Sequence, residues 1–156
     1  FYSINQGATT MWERWNSYSK ESGFESARMN SLNHYAYGAV GQFFFEGIAG
    51  IFPLEAGFKK IRIAPLIGSQ LTSARGEIES PYGKIVSSWK INNGQFELKV
   101  VIPPNTTARI EIPSNDSTIL KDGSFLEHPN IKILKNNNKE IILDALSGAY
   151  TFQTKL

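Results

Sequence analysis

The sequence runs to 156 residues, 41% hydrophobic, 12% aromatic and 19% charged, with no cysteine. That is apolar material for one ordinary domain or two small ones, and it excludes a disulfide framework and thiolate chemistry. The formal net charge of +2 is spread over scattered lysines and arginines, without the basic block that nucleic-acid binding needs.

The chain opens on Phe1 in the middle of patterned sequence, with neither a basic n-region nor an apolar h-region. This predicts a natural start upstream and leaves the compartment open. The first informative stretch is Gly7-Ala-Thr-Thr-Met-Trp-Glu-Arg-Trp15, where one carboxylate, Glu13, stands between Trp12 and Trp15. Tryptophan offers a flat apolar face to the CH face of a pyranose, and a carboxylate beside it accepts a hydroxyl hydrogen bond or takes a proton from water. The competing reading is structural. A helix capped by Thr9 or Thr10 would leave Glu13 solvated near the favourable dipole end, with the tryptophans as core anchors.

That first helix is expected to fade in Asn16 to Glu25, where Ser22-Gly23 marks a loop. A second helix is expected from Ser31 to His34 through about Gly50, apolar nearly all round. Its glycines form two i, i+3 pairs, Gly38/Gly41 and Gly47/Gly50, on roughly opposite sides. Each glycine costs about 1 kcal/mol against alanine in a helix interior, so the pairs predict backbone neighbours on two flanks, supplied from outside this chain or by another copy. The apolar run Tyr35 to Leu54 carries Gln42 and Glu46 near its centre, which argues against a membrane span.

From Phe58 the period changes to alternation. Strands are expected at Phe58 to Ala64, Leu71 to Ser80, Lys84 to Ile91, Gln95 to Ile102, Thr106 to Ile112, Ser117 to Lys121, Ile131 to Lys135, Glu140 to Leu143 and Ala149 to Lys155. Turns are expected at Pro81-Tyr82-Gly83, Asn92-Asn93-Gly94 and Asp122-Gly123, and Pro103-Pro104 reads as a break. Asn93-Gly94 is the strongest hairpin signal, because a type I′ turn needs positive φ at both central residues. Eight to ten short strands at this spacing suit an antiparallel, jelly-roll-like sandwich. The fold class is thus α+β, with a helical part at 1–54 and a sandwich at 55–156.

His34 and His128, the two histidines, lie in different segments without spaced carboxylates, so neither a metal site nor a cofactor is indicated. His34, at the start of the second helix, reads structurally as a cap. Trp89, Tyr82 and Phe96 would form the stacking face of a carbohydrate-binding module, but Trp89 lies in an alternating strand, where an inward position fits better.

Taken together, the chain resembles the carboxyl-terminal end of bacterial α-L-rhamnosidases. The stretches that carry the resemblance are Gly7 to Trp15, Ser31-Leu-Asn-His-Tyr-Ala-Tyr-Gly-Ala-Val-Gly41, Gly47-Ile-Ala-Gly50, Gly57-Phe-Lys-Lys-Ile61, Ser80-Pro-Tyr-Gly83 and Ile102-Pro-Pro-Asn-Thr-Thr-Ala108. The resemblance implies the terminal helices of an (α/α)6 catalytic barrel, followed by the sandwich, in an enzyme that hydrolyses terminal α-linked L-rhamnose with inversion. It puts the general base on Glu13, a sugar-contacting histidine on His34, and Trp12 and Trp15 in the pocket region. It puts the general acid upstream, so this piece alone is expected to be inactive. The implied partners are a rhamnose-containing glycoside and upstream domains of the same polypeptide. An unpartnered helical part is expected to self-associate, with Phe43, Phe44 and Phe45 at the contact.

Overall fold

The computed structural model describes residues 1–156 apart from 27, 29, 30, 69, 117, 122, 123, 126 and 127. The chain divides into two compact units, Phe1–Phe43 and Phe44–Leu156. The Asp122-Gly123 turn lies outside the described residues.

The first unit holds helix α1 (Tyr2–Asn5), a hairpin of β1 (Tyr18–Ser19) and β2 (Gly23–Phe24), and helices α2 (Tyr35–Gly38) and α3 (Val40–Phe43). The helix expected from Thr9 or Thr10 does not form. Gly7, at φ 94°, turns the chain out of α1, and the following segment takes its partners from residues 31–34. The N–H of Glu13 donates to Ser31 O at 2.9 Å and that of His34 to Met11 O at 2.7 Å, while Thr10 Oγ1 donates to Leu32 O. Backbone groups paired across the chain in this way are not available for an i, i+4 ladder.

The second unit opens with a π-helical turn, Phe44–Ile48, in which the N–H of Ala49 reaches Phe44 O at 2.9 Å. The helix expected as one element therefore runs as three short pieces between Tyr35 and Ile48. It stops because Gly50, at φ 76°, diverts the chain into strand β3 (Ile51–Pro53), inside the stretch expected to be helical. A Cβ at Gly50 would lie 2.3 Å from Pro65 N, so the close neighbour of this glycine comes from within the chain. At Gly38 and Gly41 a Cβ would meet nothing within 4 Å. Among the described residues no helix is long and apolar enough to cross a membrane.

A 3-10 turn (Ala56–Phe58) leads to β4 (Lys60–Ile63), β5 (Ser73–Ser80), β6 (Gly83–Asn92), β7 (Gln95–Pro113), β8 (Leu120–Lys121), β9 (Ser124–Phe125), β10 (Ile131–Asn136) and β11 (Glu140–Lys155). The hairpin at Asn93-Gly94 is as expected, with φ 50° and 73° at its two central residues. Strands β7 and β11 pair antiparallel along nearly their whole length and each serves two sheets. Their outer halves, 95–102 and 148–155, continue into β6 and β5 on one side and β8 and β9 on the other. Their inner halves, 107–113 and 140–146, continue into β4 and β3 and into β10.

Alternate residues of both sheets meet in one core. Trp89, Phe96, Leu98 and Phe152 come from the first sheet, and Ile61, Ile63, Ile110, Ile112, Ile141 and Leu143 from the second. This is the two-layer arrangement in which strands switch sheets at a corner. The corner is a bulge, where residues 103–106 of β7 oppose Ser147 alone, between the pairs Ile102–Gly148 and Thr107–Leu146. Pro103 and Pro104, expected to end a strand, sit in this bulge, where no ladder N–H is required of them. Thr106 Oγ1 donates to Pro103 O at 2.7 Å and the Tyr150 hydroxyl to Leu146 O at 3.1 Å, fastening the two bends.

The expectation of a purely antiparallel sheet needs correction, because β4 pairs with β7 in parallel, from Lys60–Thr107 to Ile63–Ile110. Alternation fixes which side chains face inward, and both directions bury Ile61 and Ile63 equally. Strand β4 takes the side of β7 that β6 leaves at the corner, and the hairpin with β3 sets its direction.

Candidate functional site

The four residues singled out in the sequence all lie in the first unit. Glu13 is half-buried on a segment without regular secondary structure. Its backbone and side chain both engage Ser31: its N–H donates to Ser31 O, and its Oε2 accepts the N–H of Ser31 at 3.1 Å. One carboxylate oxygen is thus anchored to a rigid amide, and among the described residues the other has no protein partner. A carboxylate held in this way is oriented yet still open to a water or a hydroxyl.

His34 faces the same ladder through its backbone, opposite Met11. It is the N-cap of α2, and its Nδ1 accepts the N–H of Ala36 at 3.2 Å. The capping reading therefore describes one ring nitrogen, and it leaves Nε2 for another partner. Ser31 is the residue that sequence reasoning passed over as an individual. The signal was present, since Ser31 opens the Ser-Leu-Asn-His motif that carries His34.

The two tryptophans differ. Trp12 is 7% exposed and packs edge-on to Tyr18, whose ring meets Phe24 in turn, so it anchors the unit's small aromatic core. Trp15 is 61% exposed and lies against Tyr37 with centroids 5.0 Å apart, which leaves an indole face open to solvent. A polar pocket of about 530 Å³ lies in the same unit, lined by Tyr2, Gln6, Asn16, Lys20, Glu21 and Glu25 among others.

In the second unit the ionised groups form ladders on the sheet surface. Arg62 forks onto Glu111, donating from Nε at 2.7 Å and from Nη2 at 2.6 Å. This holds the Glu111 carboxyl below its usual range, despite partial burial that acts the other way. A hydrogen bond from Gln153, together with Lys90 and Lys99, does the same for Glu97. Of the three aromatics named for a binding face, Trp89 and Phe96 are buried in the core, and Trp89 Nε1 donates to Ile48 O at 2.8 Å. Tyr82 remains at the surface, with Lys59 Nζ 5.1 Å from its ring centre. Among the described residues no group of His, Cys, Asp and Glu is placed to hold a metal ion.

Comparison with known proteins accounts for both units. Residues 1–48 match the family model described as the bacterial alpha-L-rhamnosidase 6 hairpin glycosidase domain, and residues 50–125 that of the bacterial alpha-L-rhamnosidase C-terminal domain. An alpha-L-rhamnosidase of Formosa agariphila is 55% identical over 99% of this chain, which spans 17% of that protein. One from Streptomyces avermitilis is 46% identical over 73% of the chain, spanning 11% of its length. Among solved structures, the Streptomyces avermitilis alpha-L-rhamnosidase complexed with L-rhamnose superposes with a TM-score of 0.83 at 36% identity, covering 99% of this chain and 14% of that one. The alpha-L-rhamnosidase from Dictyoglumus thermophilum gives 0.80 at 27% identity, covering 99% and 17%.

Proposed function

The chain belongs to the bacterial alpha-L-rhamnosidase family, and from that premise we propose that it is one portion of a longer enzyme that removes terminal α-linked L-rhamnose with inversion. Glu13 is the general base. The observation that carries this role is its anchoring: Ser31 holds Oε2 at 3.1 Å, and among the described residues Oε1 has no protein partner, which suits it to the water whose proton must be taken. Residues 1–54 supply part of an (α/α)6 barrel, and 55–156 form a sandwich with a structural task. Trp89 and Phe96 serve the core of that sandwich and not a sugar face.

Inversion needs a second carboxyl, as general acid, roughly 6.5 to 9.5 Å from the base with a water between. We place that acid in sequence outside this chain, since none of Glu21, Glu25, Glu46 and Glu55 carries an acid motif of the family. The chain alone therefore turns over nothing. His34, Trp12 and Trp15 form the sugar-binding surroundings of that base.

The stereochemistry of the first product tests the reading. Proton NMR of the full-length protein acting on an aryl α-L-rhamnoside should show the β-anomer of rhamnose appearing before mutarotation. Release of the α-anomer first would rule out inversion, and a full-length protein that cleaves no α-L-rhamnoside would sink the reading altogether.

A further inference from the structure

Two rows of side chains cross the outer face of the second sheet. In one, Lys60 of β4 opposes Thr107 of β7, Thr107 opposes Leu146 of β11, and the N–H of Leu146 donates to Asn130 O at 2.9 Å, just before β10. The other row, two residues along each strand, is Arg62, Arg109, Asp144 and Lys132. Residues two apart share a face of a strand, and the residues between them, Ile61, Ala108 and Ala145, are buried in the core. Between the rows lies a hollow of about 350 Å³, lined by Lys60, Thr107, Asn130, Lys132, Asp144 and Leu146 among others. Its charges are not balanced. Arg62 forks onto Glu111, and Arg109 Nε donates to Asp144 Oδ1 at 3.1 Å. Among the described residues no carboxylate pairs with Lys60 or Lys132, and neither the Thr107 hydroxyl nor the Asn130 side-chain amide has a partner.

We propose that this hollow binds a saccharide unit bearing a carboxylate, a uronate within an acidic glycan. Two ammonium groups present only donors, so an oxyanion with only acceptors satisfies both. A hydroxyl and an amide donate and accept alike, which suits the sugar hydroxyls around that carboxylate. Leu146, 50% exposed, and Pro129 add apolar surface for the CH groups of a pyranose. An acidic peptide fits less well. Thr107 and Leu146 belong to the two central strands of this face, so the hollow offers no free strand edge to which a peptide could add. The choice of a saccharide among anions rests on the glycosidase reading, whereas the hollow and its unpaired lysines stand without it.

Calorimetric titration of the full-length enzyme tests this with three probes. A galacturonate trimer has the charge and the sugar body, its methyl ester keeps the body without the charge, and triglutamate keeps the charge without the sugar. Wild type should bind the trimer about tenfold or more tightly than either of the others. The double variant Lys60→Gln with Lys132→Gln should keep the wild-type melting temperature, because neither side chain is held by a described partner. It should bind the trimer about tenfold more weakly, as two partly exposed ion pairs are lost. Raising the salt to physiological strength, where charges are screened beyond about 8 Å, should weaken trimer binding more in wild type than in the variant. Undiminished binding in the double variant, or no binding by wild type, would overturn the proposal. Equal affinity for the ester would remove the role of charge, and equal affinity for triglutamate would make the hollow a peptide or bare anion site. Either result would overturn it too. A full-length protein that binds the trimer through these lysines and cleaves no α-L-rhamnoside would instead sink the glycosidase reading and leave this site standing.

Discussion

The two units of the chain solve the problem of stability in opposite ways. Phe44–Leu156 closes a core in which isoleucines, leucines and aromatics from both sheets are fully buried. Phe1–Phe43 is held by single cross-chain hydrogen bonds and a few aromatic contacts, and it exposes Tyr35 at 84%, Trp15 at 61% and Ile4 at 63%. The candidate chemistry lies in the second of these, the looser unit. A sandwich spends its side chains on its own interior, whereas the first unit leaves Trp15 and Tyr35 at the surface, available to a ligand or to another protein surface.

The sharpest way to break this comparison is at Glu13. Glu13→Gln keeps volume and the hydrogen bond from Ser31 but removes the proton acceptor. In the full-length enzyme kcat should fall by about 10² to 10⁴ with KM little changed, measured on an aryl rhamnoside; a near-wild-type kcat in a folded variant would return Glu13 to a structural role. The sandwich should respond to the converse change. Trp89→Ala empties a fully buried site and orphans Ile48 O, so denaturant unfolding should show a loss of about 3 to 5 kcal/mol, whereas Trp15→Ala should leave stability within about 0.5 kcal/mol.

Gly50→Ala should cost more than the 1 to 2 kcal/mol or so expected for a left-handed residue alone, because its Cβ would also strike Pro65; a melting temperature equal to wild type would mean that the β3–β4 corner is slack. Smaller still is the effect at Glu111. Its folded-state pKa is depressed by Arg62, so its stabilisation is fully present above the ordinary carboxylate range and is lost as pH falls through the depressed value. Both partners are partly exposed, with side chains 42% and 24% accessible, and screening limits the contribution to about 1 kcal/mol or less. Glu111→Gln should therefore lower stability at pH 7 and lose that deficit in acid; a deficit independent of pH would point to packing instead. For the exposed aromatics, light scattering of the chain by itself should report self-association, and a monodisperse monomer would refute it.

What the sequence disclosed follows the same divide. The Asn93-Gly94 hairpin was legible because two positive φ values leave few residues to choose from. The inward side chains were legible because a strand has a period of two. The direction of β4 and the run of β7 through Pro103-Pro104 were not, since alternation names faces and not partners. The supposed helix at Thr9 failed for a related reason: the Glu13 N–H and the Met11 carbonyl are paired with residues 31–34, a long-range pairing that local propensity does not register. Glu13 and the tryptophans were singled out by residue type and spacing and His34 by family resemblance, while the divergence of Trp12 from Trp15 emerged only with burial.

The parallel pairing of β4 with β7 also constrains the order in which this chain can fold. Strands β5, β6 and the outer half of β7 are linked by tight turns and can zip locally. Strand β4, although earlier in the sequence, has no parallel partner until the chain has passed the bend at 103–106, and closing that loop must precede any gain from burying Ile61 and Ile63. The β3–β4 hairpin therefore docks late, and a nascent chain that has emerged only to residue 102 carries two isoleucines with nowhere to go.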